Sequence, residues 1–103
     1  MIPEVDYVYV VHNPDRNSCK IGRSRQPETR LKAFRTGNES DLKVTFKLGM
    51  DRAISSEVER LARRIAQRDL KKPRTREWLG RTDPEEAKAC VEQAHRTVVG
   101  RNR

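Results

Sequence analysis

The fold is decided between Tyr7 and Arg30, where the sequence reads Y-V-Y-V-V-H-N-P-D-R-N-S-C-K-I-G-R-S-R-Q-P-E-T-R. Aromatic and β-branched residues at its start predict a strand. Residues 13–18 are dense in turn formers, and a second short strand is predicted over residues 19–22. Because the loop between them is short, the two strands are expected to form an antiparallel hairpin. A helix should follow, since Pro27 suits a first helical turn.

Three polar side chains recur at wide intervals in this stretch. Lys20 follows Tyr9 by eleven positions, and Arg30 follows Lys20 by ten. A phenol, an ammonium and a guanidinium are therefore delivered from three successive elements. We interpret the flanking sequence as the scaffold of this trio.

Length and charge limit the class of protein. The chain has 103 residues, so one domain is expected over residues 1–103, with a core from about 5 to 98. Its net charge of +8 and pI near 10.1 favour a polyanionic partner, most often nucleic acid. The alternative is a soluble protein whose surface is merely basic.

The two cysteines indicate a reducing compartment and no zinc site. Cys19 and Cys90 lie far apart, and no C-x-x-C pair or His/Cys cluster accompanies them. We expect reduced, partly buried thiols in a cytoplasmic protein, associated with the nucleoid if it binds DNA. No signal peptide or long apolar run is visible, so no membrane partner is expected.

Two strands show contrasting apolar patterns. The first, from Val5 to His12, has apolar groups at both parities, which predicts a strand covered on both sides. The third, from Leu42 to Leu48, alternates. The inward set is expected to be Leu42, Val44, Phe46 and Leu48, and the outward Lys43 and Lys47 suit an edge strand.

The second helix, predicted from about Arg52 to Lys71, carries one acid in an unusual place. Glu59 falls inside the apolar arc of the helix, whereas Glu57 lies midway through the solvent arc. A carboxylate on a packing face costs free energy unless it is paired or bound to a metal. Glu59 is therefore the candidate metal ligand, and the alternative is an edge position bonded to an arginine.

The last third of the chain contains a basic run and a third helix. The run from Lys71 to Arg76 predicts a mobile loop at a phosphate backbone, or alternatively a solvated linker. Trp78 is expected to anchor the chain after it. Asp83 and Glu86 form the pattern of a capping box at the start of the third helix. Its predicted buried stripe is Ala87, Val91, Ala94 and Val98.

The first half of the chain resembles the GIY-YIG nuclease superfamily. Val8-Tyr9 stands where that family has the I-Y of its first motif, and Tyr7 replaces the first Gly. Lys20-Ile21-Gly22 stands where the family has Y-I-G. Arg30, in R-L-K, matches the arginine of the first helix in position and context.

The resemblance extends almost to the end of the chain. Val58-Glu59, with Arg63 four residues after the acid, is similar to an acidic helix that reads V-E-x-x-x-H in one branch. Glu77-Trp78-Leu79 resembles the E-W-F motif of that branch, which belongs to small phage and bacterial proteins. The similarity runs from Tyr7 to about Val98.

The resemblance implies a fold and a chemistry. The family fold is a small three-stranded antiparallel sheet flanked by about three helices, an α/β (α+β) architecture that agrees with the elements above. The implied activity is hydrolysis of phosphodiester bonds in duplex or branched DNA with a single Mg²⁺ or Mn²⁺, held by Glu59 and mostly by water. Arg30 would neutralise the non-bridging oxygens. Tyr9 would orient or deprotonate the attacking water, helped by the nearby cations of Lys20, Arg23 and Arg30.

Departures from the family pattern leave an alternative open. Lys20 replaces the second tyrosine, Arg63 replaces the branch histidine, and the late asparagine of many members has no clear counterpart. The alternative is a non-catalytic DNA-binding module, and a weaker one is a protein-interaction domain. A domain this small has little surface for base readout, so specificity is expected to come from a homodimer or a larger protein partner. The predicted phosphate contacts are Lys20, Arg23, Arg30, Lys71, Lys72, Arg74 and Arg76.

One geometric expectation follows for the site. The tips of Tyr9, Lys20, Arg30 and Glu59 should line one concave face. Ser24 is expected either to contact phosphate or to cap the first helix.

Overall fold

A computed structural model describes residues 5–34, 42–68, 74–75 and 78–101 of the protein. The elements, in chain order, are β1 (Val5–Asn13), β2 (Ser18–Ser24), α1 (Pro27–Phe34), β3 (Lys43–Asp51), α2 (Arg52–Arg68), β4 (Arg74–Thr75), β5 (Trp78–Leu79) and α3 (Pro84–Arg101). The strands form one antiparallel sheet in the order β3-β1-β2-β5-β4. No described helix is both long and apolar enough to cross a bilayer.

The predicted α+β class is confirmed, and the sheet is wider than expected. The three long strands are the predicted hairpin and the predicted edge strand, but β4 and β5 extend the sheet on the β2 side. Residues 74–75 were predicted as loop, and this is wrong because they pair with Trp78 and Leu79. In turn, β5 pairs with Cys19 and Lys20 of β2.

The β1–β2 hairpin closes over a four-residue turn after Asn13 pairs with Ser18. Asn17 has a left-handed φ of 45°, which asparagine tolerates better than most residues. Its carbonyl accepts a hydrogen bond from the Thr82 amide at 3.0 Å. This bond ties the hairpin end to the segment before α3.

Both faces of β1 are covered, as predicted. Val8 and Val10 face α2 and α3, in a core cluster that includes Ile21, Val58 and Val91. Tyr9 and Val11 face the opposite side, in a smaller cluster with Leu31, Leu42 and partly buried Trp78. The sheet is thus the middle layer, and strand parity decides on which side each residue of the hairpin lies.

A β-bulge in β3 overturns the expected single inward face. Val10 pairs with Phe46, but Val11 pairs with Val44, so Thr45 is an extra residue on β3. Phe46 packs on the α2–α3 side and Val44 on the opposite side. An extra residue reverses side-chain parity, which is why unbroken alternation in the sequence does not give one face.

The predicted starts of α2 at Arg52 and of α3 after Asp83 are both confirmed. The Asp83 carboxylate accepts from the Glu85 amide at 2.8 Å, and the Glu86 carboxylate accepts from the Asp83 amide at 3.1 Å. The predicted stripe of α3 is buried and also includes Cys90. α2 is described to Arg68, and its predicted end at Lys71 lies outside the described residues.

Candidate functional site

The phenol ring of Tyr9 lies against the backbone of Gly22. These residues pair across β1 and β2, and a Cβ atom added at Gly22 would lie 2.6 Å from both Cζ and Oη of Tyr9. Only glycine leaves room for the far end of the ring here. Among the described strands, β5 pairs with β2 only at Cys19 and Lys20. The Tyr9 hydroxyl at Gly22 therefore lies beside a part of β2 whose outer edge pairs with no described strand.

Arg63 reaches the same part of β2 from α2. Its Nε and Nη2 atoms donate to the Ile21 carbonyl oxygen at 3.0 and 2.8 Å. The same guanidinium lies 3.5 Å from the Glu59 carboxylate, one helical turn earlier. The Glu59 side chain is only 19% exposed. Glu59 is therefore paired with a guanidinium that also binds β2, and the arginine pairing left open by the sequence is present.

The two sets of side chains approach the edge of β2 from opposite sides of the sheet. Tyr9 packs on the α1 side, and by strand parity Lys20 lies on that same side. Glu59 and Arg63 belong to α2, which covers the other side. Arg30 is exposed on α1, whereas Lys20 is buried with 6% exposure. The structure places Tyr9 and Lys20 on one side of the sheet and Glu59 on the other, so the expectation that the tips of Tyr9, Lys20, Arg30 and Glu59 line one concave face is not met.

Contacts of α1 fix the helix that carries Arg30. The Gln26 amide donates to Ser24 Oγ at 3.0 Å, so Ser24 shapes the start of the helix, as one of its two predicted roles required. Glu28 and Lys47 form a 2.9 Å ion pair between α1 and β3. The hydrogen bond lowers the pKa of Glu28 and raises that of Lys47.

A buried acid near the start of α2 was missed in the sequence. Asp6 is 5% exposed and accepts from Ser55 Oγ at 2.7 Å, and Arg23 lies 3.5 Å from the same carboxylate oxygen. Arg23, a predicted phosphate contact, thus has a carboxylate partner. Asp6 shares the parity of Val8, and the reasoning that identified Glu59 on a packing face would have found it.

The outer face of α2 forms a polar depression of about 350 Å³. Glu59 and Arg63 line it together with four other α2 side chains: Ser56, Arg60, Arg64 and Gln67. By helical periodicity Arg60, Arg64 and Gln67 fall on the solvent arc of this helix, but nothing in the sequence indicates that they border a concave surface. Arg63 belongs both to this lining and to the contact with the Ile21 carbonyl of β2.

Comparison with known protein families identifies the chain. The T5orf172 domain matches residues 6–95, which include Tyr9, Lys20, Arg30 and Glu59. The chain belongs to the T5orf172 domain family. This family is related to phage nuclease-type domains. No curated protein and no solved structure matches the chain.

The side chains of this T5orf172 domain suit a cation that keeps most of its water ligands better than a cation surrounded by protein ligands. In the described part of the chain, no group of three or more His, Cys, Asp or Glu side chains could hold a metal. Mg²⁺ keeps several waters and often takes one or two carboxylates plus substrate phosphates, which a lone Glu59 fits. Arg63 competes with any such cation for the same carboxylate.

Part of the predicted nucleic-acid surface lies outside the described residues. Lys71, Lys72 and Arg76 fall there, and only the backbone of Arg74 is described. These phosphate contacts stay predictions.

Proposed function

We propose that this T5orf172 domain is a divalent-metal-dependent endonuclease of the GIY-YIG type that hydrolyses phosphodiester bonds in DNA. The proposal rests on one observation above all: the Tyr9 phenol crosses Gly22 beside the Ile21 carbonyl that Arg63 binds. The Tyr9 phenol and the Arg63 guanidinium, which is paired with Glu59, thereby contact neighbouring residues of β2 from opposite sides of the sheet. The net charge of +8 suits a DNA substrate.

Each side chain has a proposed role. Glu59 would hold Mg²⁺ or Mn²⁺, and the bound cation would activate water and stabilise phosphate charge. The Tyr9 hydroxyl would orient the attacking water or accept its proton. Lys20 lies on the same side of the sheet and would place a positive charge on the Tyr9 side of the site. Arg30, exposed on α1, would neutralise charge on the non-bridging oxygens.

A second candidate is a DNA-binding module without cleavage. Two observations favour it: the Glu59 carboxylate is paired with Arg63, and Tyr9 is only 2% exposed. Under this alternative, Tyr9 is a core residue and Glu59 fixes the Arg63 side chain. The basic surface would then bind DNA in the cytoplasm or on the nucleoid without acting on it.

Plasmid nicking separates the two candidates. Supercoiled DNA is incubated with the protein and Mg²⁺ or Mn²⁺, with and without EDTA, beside the Tyr9→Phe variant. The nuclease proposal requires nicking that EDTA and the loss of the hydroxyl both abolish. If wild type cleaves no duplex, branched or single-stranded DNA while still binding it, the second candidate replaces the first.

A further inference from the structure

The depression on α2 is lined mainly by hydrogen-bond donors. Its lining includes three arginines, one glutamine and one serine against a single carboxylate, that of Glu59. Arg60 and Arg64 are exposed, and neither has an ion pair or hydrogen bond recorded within the described part of the chain. Since Arg63 already balances Glu59, both of the other guanidinium groups contribute excess positive charge.

Gln67 adds an independent sign that an acceptor belongs here. Its Nε2 atom is buried and has no hydrogen-bond partner among the described residues, and the side chain lines the same depression. A buried donor without a partner destabilises the folded state. If the Gln67 amide turns toward the depression, a ligand oxygen there would satisfy this donor and also meet the guanidinium groups.

We propose that the α2 face formed by Arg60, Arg63, Arg64 and Gln67 binds the sugar-phosphate backbone of a DNA strand. The inference deepens the proposed function, because it assigns the path of the DNA strand next to Glu59. It does not need cleavage to occur. This face is separate from the predicted contacts of Arg30 on α1.

Chemistry and spacing both suit a phosphate backbone. Guanidinium groups bind phosphate oxygens with two parallel hydrogen bonds, which gives direction as well as charge. Arg60 and Arg64 are one helical turn apart, about 6 Å along the axis, so they can reach successive parts of one strand. Such contacts carry no base information, and the face should bind without sequence preference.

The main test compares two double variants that remove equal charge. Arg60→Gln with Arg64→Gln alters the proposed face, whereas Arg16→Gln with Arg96→Gln removes two exposed arginines elsewhere. DNA affinity is measured by fluorescence anisotropy in EDTA over a range of salt concentrations. The α2 variant should bind at least about 10-fold more weakly, and its log–log salt slope should shrink by roughly 2. The control should stay within about 3-fold of wild type.

Gln67→Leu gives a second readout. The variant removes the unpartnered amide, so its melting temperature should rise by a few degrees while DNA affinity falls. A purely structural glutamine would lose stability on substitution, and a mere surface residue would change neither quantity. Either result would contradict the assignment of Gln67 to the ligand.

Several outcomes would overturn the proposal. Equal losses in both double variants would indicate a response to net charge only. No loss in the α2 variant would remove the face from the DNA path. Inorganic phosphate offers a further comparison. If phosphate raises the melting temperature of wild type but not of the α2 variant, and the α2 variant keeps its DNA affinity, the face is a small-anion site. Because binding is measured in EDTA, failure of cleavage leaves these results unaffected.

Discussion

The Tyr9 ring covers Gly22 so closely that a Cβ atom at position 22 would lie 2.6 Å from the Tyr9 hydroxyl oxygen. Tyr9 is almost completely buried, so its ring cannot move aside at low cost. The pair therefore sets where the hydroxyl lies relative to the edge of β2.

Gly22→Ala tests this relationship directly. The added methyl should displace the ring and destabilise the fold by about 1–3 kcal/mol, the usual range for overpacking a core. Nicking activity should fall further than the loss of folded protein explains, because the hydroxyl is moved. Urea unfolding and nicking at matched folded concentration measure the two effects.

Gly100→Ala is the matched control. A Cβ atom at Gly100 meets nothing within 4 Å, and the residue lies in α3. Its stability should be unchanged or raised by up to about 1 kcal/mol, since alanine favours a helix. Equal behaviour of the two variants would show that Gly22 has no special steric role.

Glu59→Gln tests the proposed metal ligand. The change is nearly isosteric and removes the charge that would hold the cation, so nicking should fall by about 10²-fold or more, on the scale of losing one preorganised group. DNA binding in EDTA should be unchanged or slightly tighter. Glu57→Gln is the control, because Glu57 is 49% exposed and lies 3.9 Å from Arg101. Equal nicking by both variants would remove Glu59 as the metal ligand, and an absence of nicking in wild type and both variants would favour the binding module.

Arg63→Met tests whether the arginine restrains the carboxylate. The variant loses both hydrogen bonds to the Ile21 carbonyl, so stability should fall by about 1–3 kcal/mol. Glu59 also loses its guanidinium partner. Under the nuclease proposal, Mn²⁺ should then bind more tightly, and this is measured by the rise in melting temperature with Mn²⁺ concentration.

Arg64→Met is the control for that experiment. Arg64 is the next residue along α2 but is exposed, and it should change neither stability nor Mn²⁺ binding appreciably. A Mn²⁺ response that is identical in wild type and Arg63→Met would mean that Glu59 does not bind the cation.

Features set by neighbouring residues were predictable from the sequence. The Asp83–Glu86 box and the turn before β2 depend on local chemistry, and both are present. The two-sided burial of β1 was also predicted, because it follows from apolar residues at both parities. The largely buried position of Glu59 on α2 was predicted from the same kind of local periodicity.

Features that depend on distant pairing were not predictable. The bulge at Thr45 depends on how β3 aligns with β1, and the sequence of β3 alternates without a break. The bond from Arg63 to the Ile21 carbonyl joins residues 42 positions apart. Likewise, the pairing of Trp78 with Lys20 shows that the tryptophan anchor belongs to the sheet itself.

The buried thiol of Cys19 gives the fold a measurable pH dependence. Cys19 Sγ donates to the Thr82 carbonyl oxygen at 3.2 Å, and burial, followed by the negative charges of Asp83 and Glu86, raises the pKa of Cys19 from 9.0 to about 12. The folded state therefore favours the neutral thiol. The stability that this thiol contributes is complete below pH 9 and is lost as the pH rises towards 12.

Urea unfolding at pH 8 and pH 10.5 tests this linkage. Between these pH values, wild type should lose about 2 kcal/mol through Cys19, because one pKa unit corresponds to about 1.4 kcal/mol. Cys19→Ala should lower stability at pH 8 by leaving a small cavity, yet lose less on going to pH 10.5. Cys90→Ala removes the other buried thiol, and the same two measurements give the share of the alkaline loss that this thiol causes. If the pH response of Cys19→Ala equals that of wild type, other groups cause the alkaline loss and the thiol ionises in the folded state as easily as in the unfolded chain.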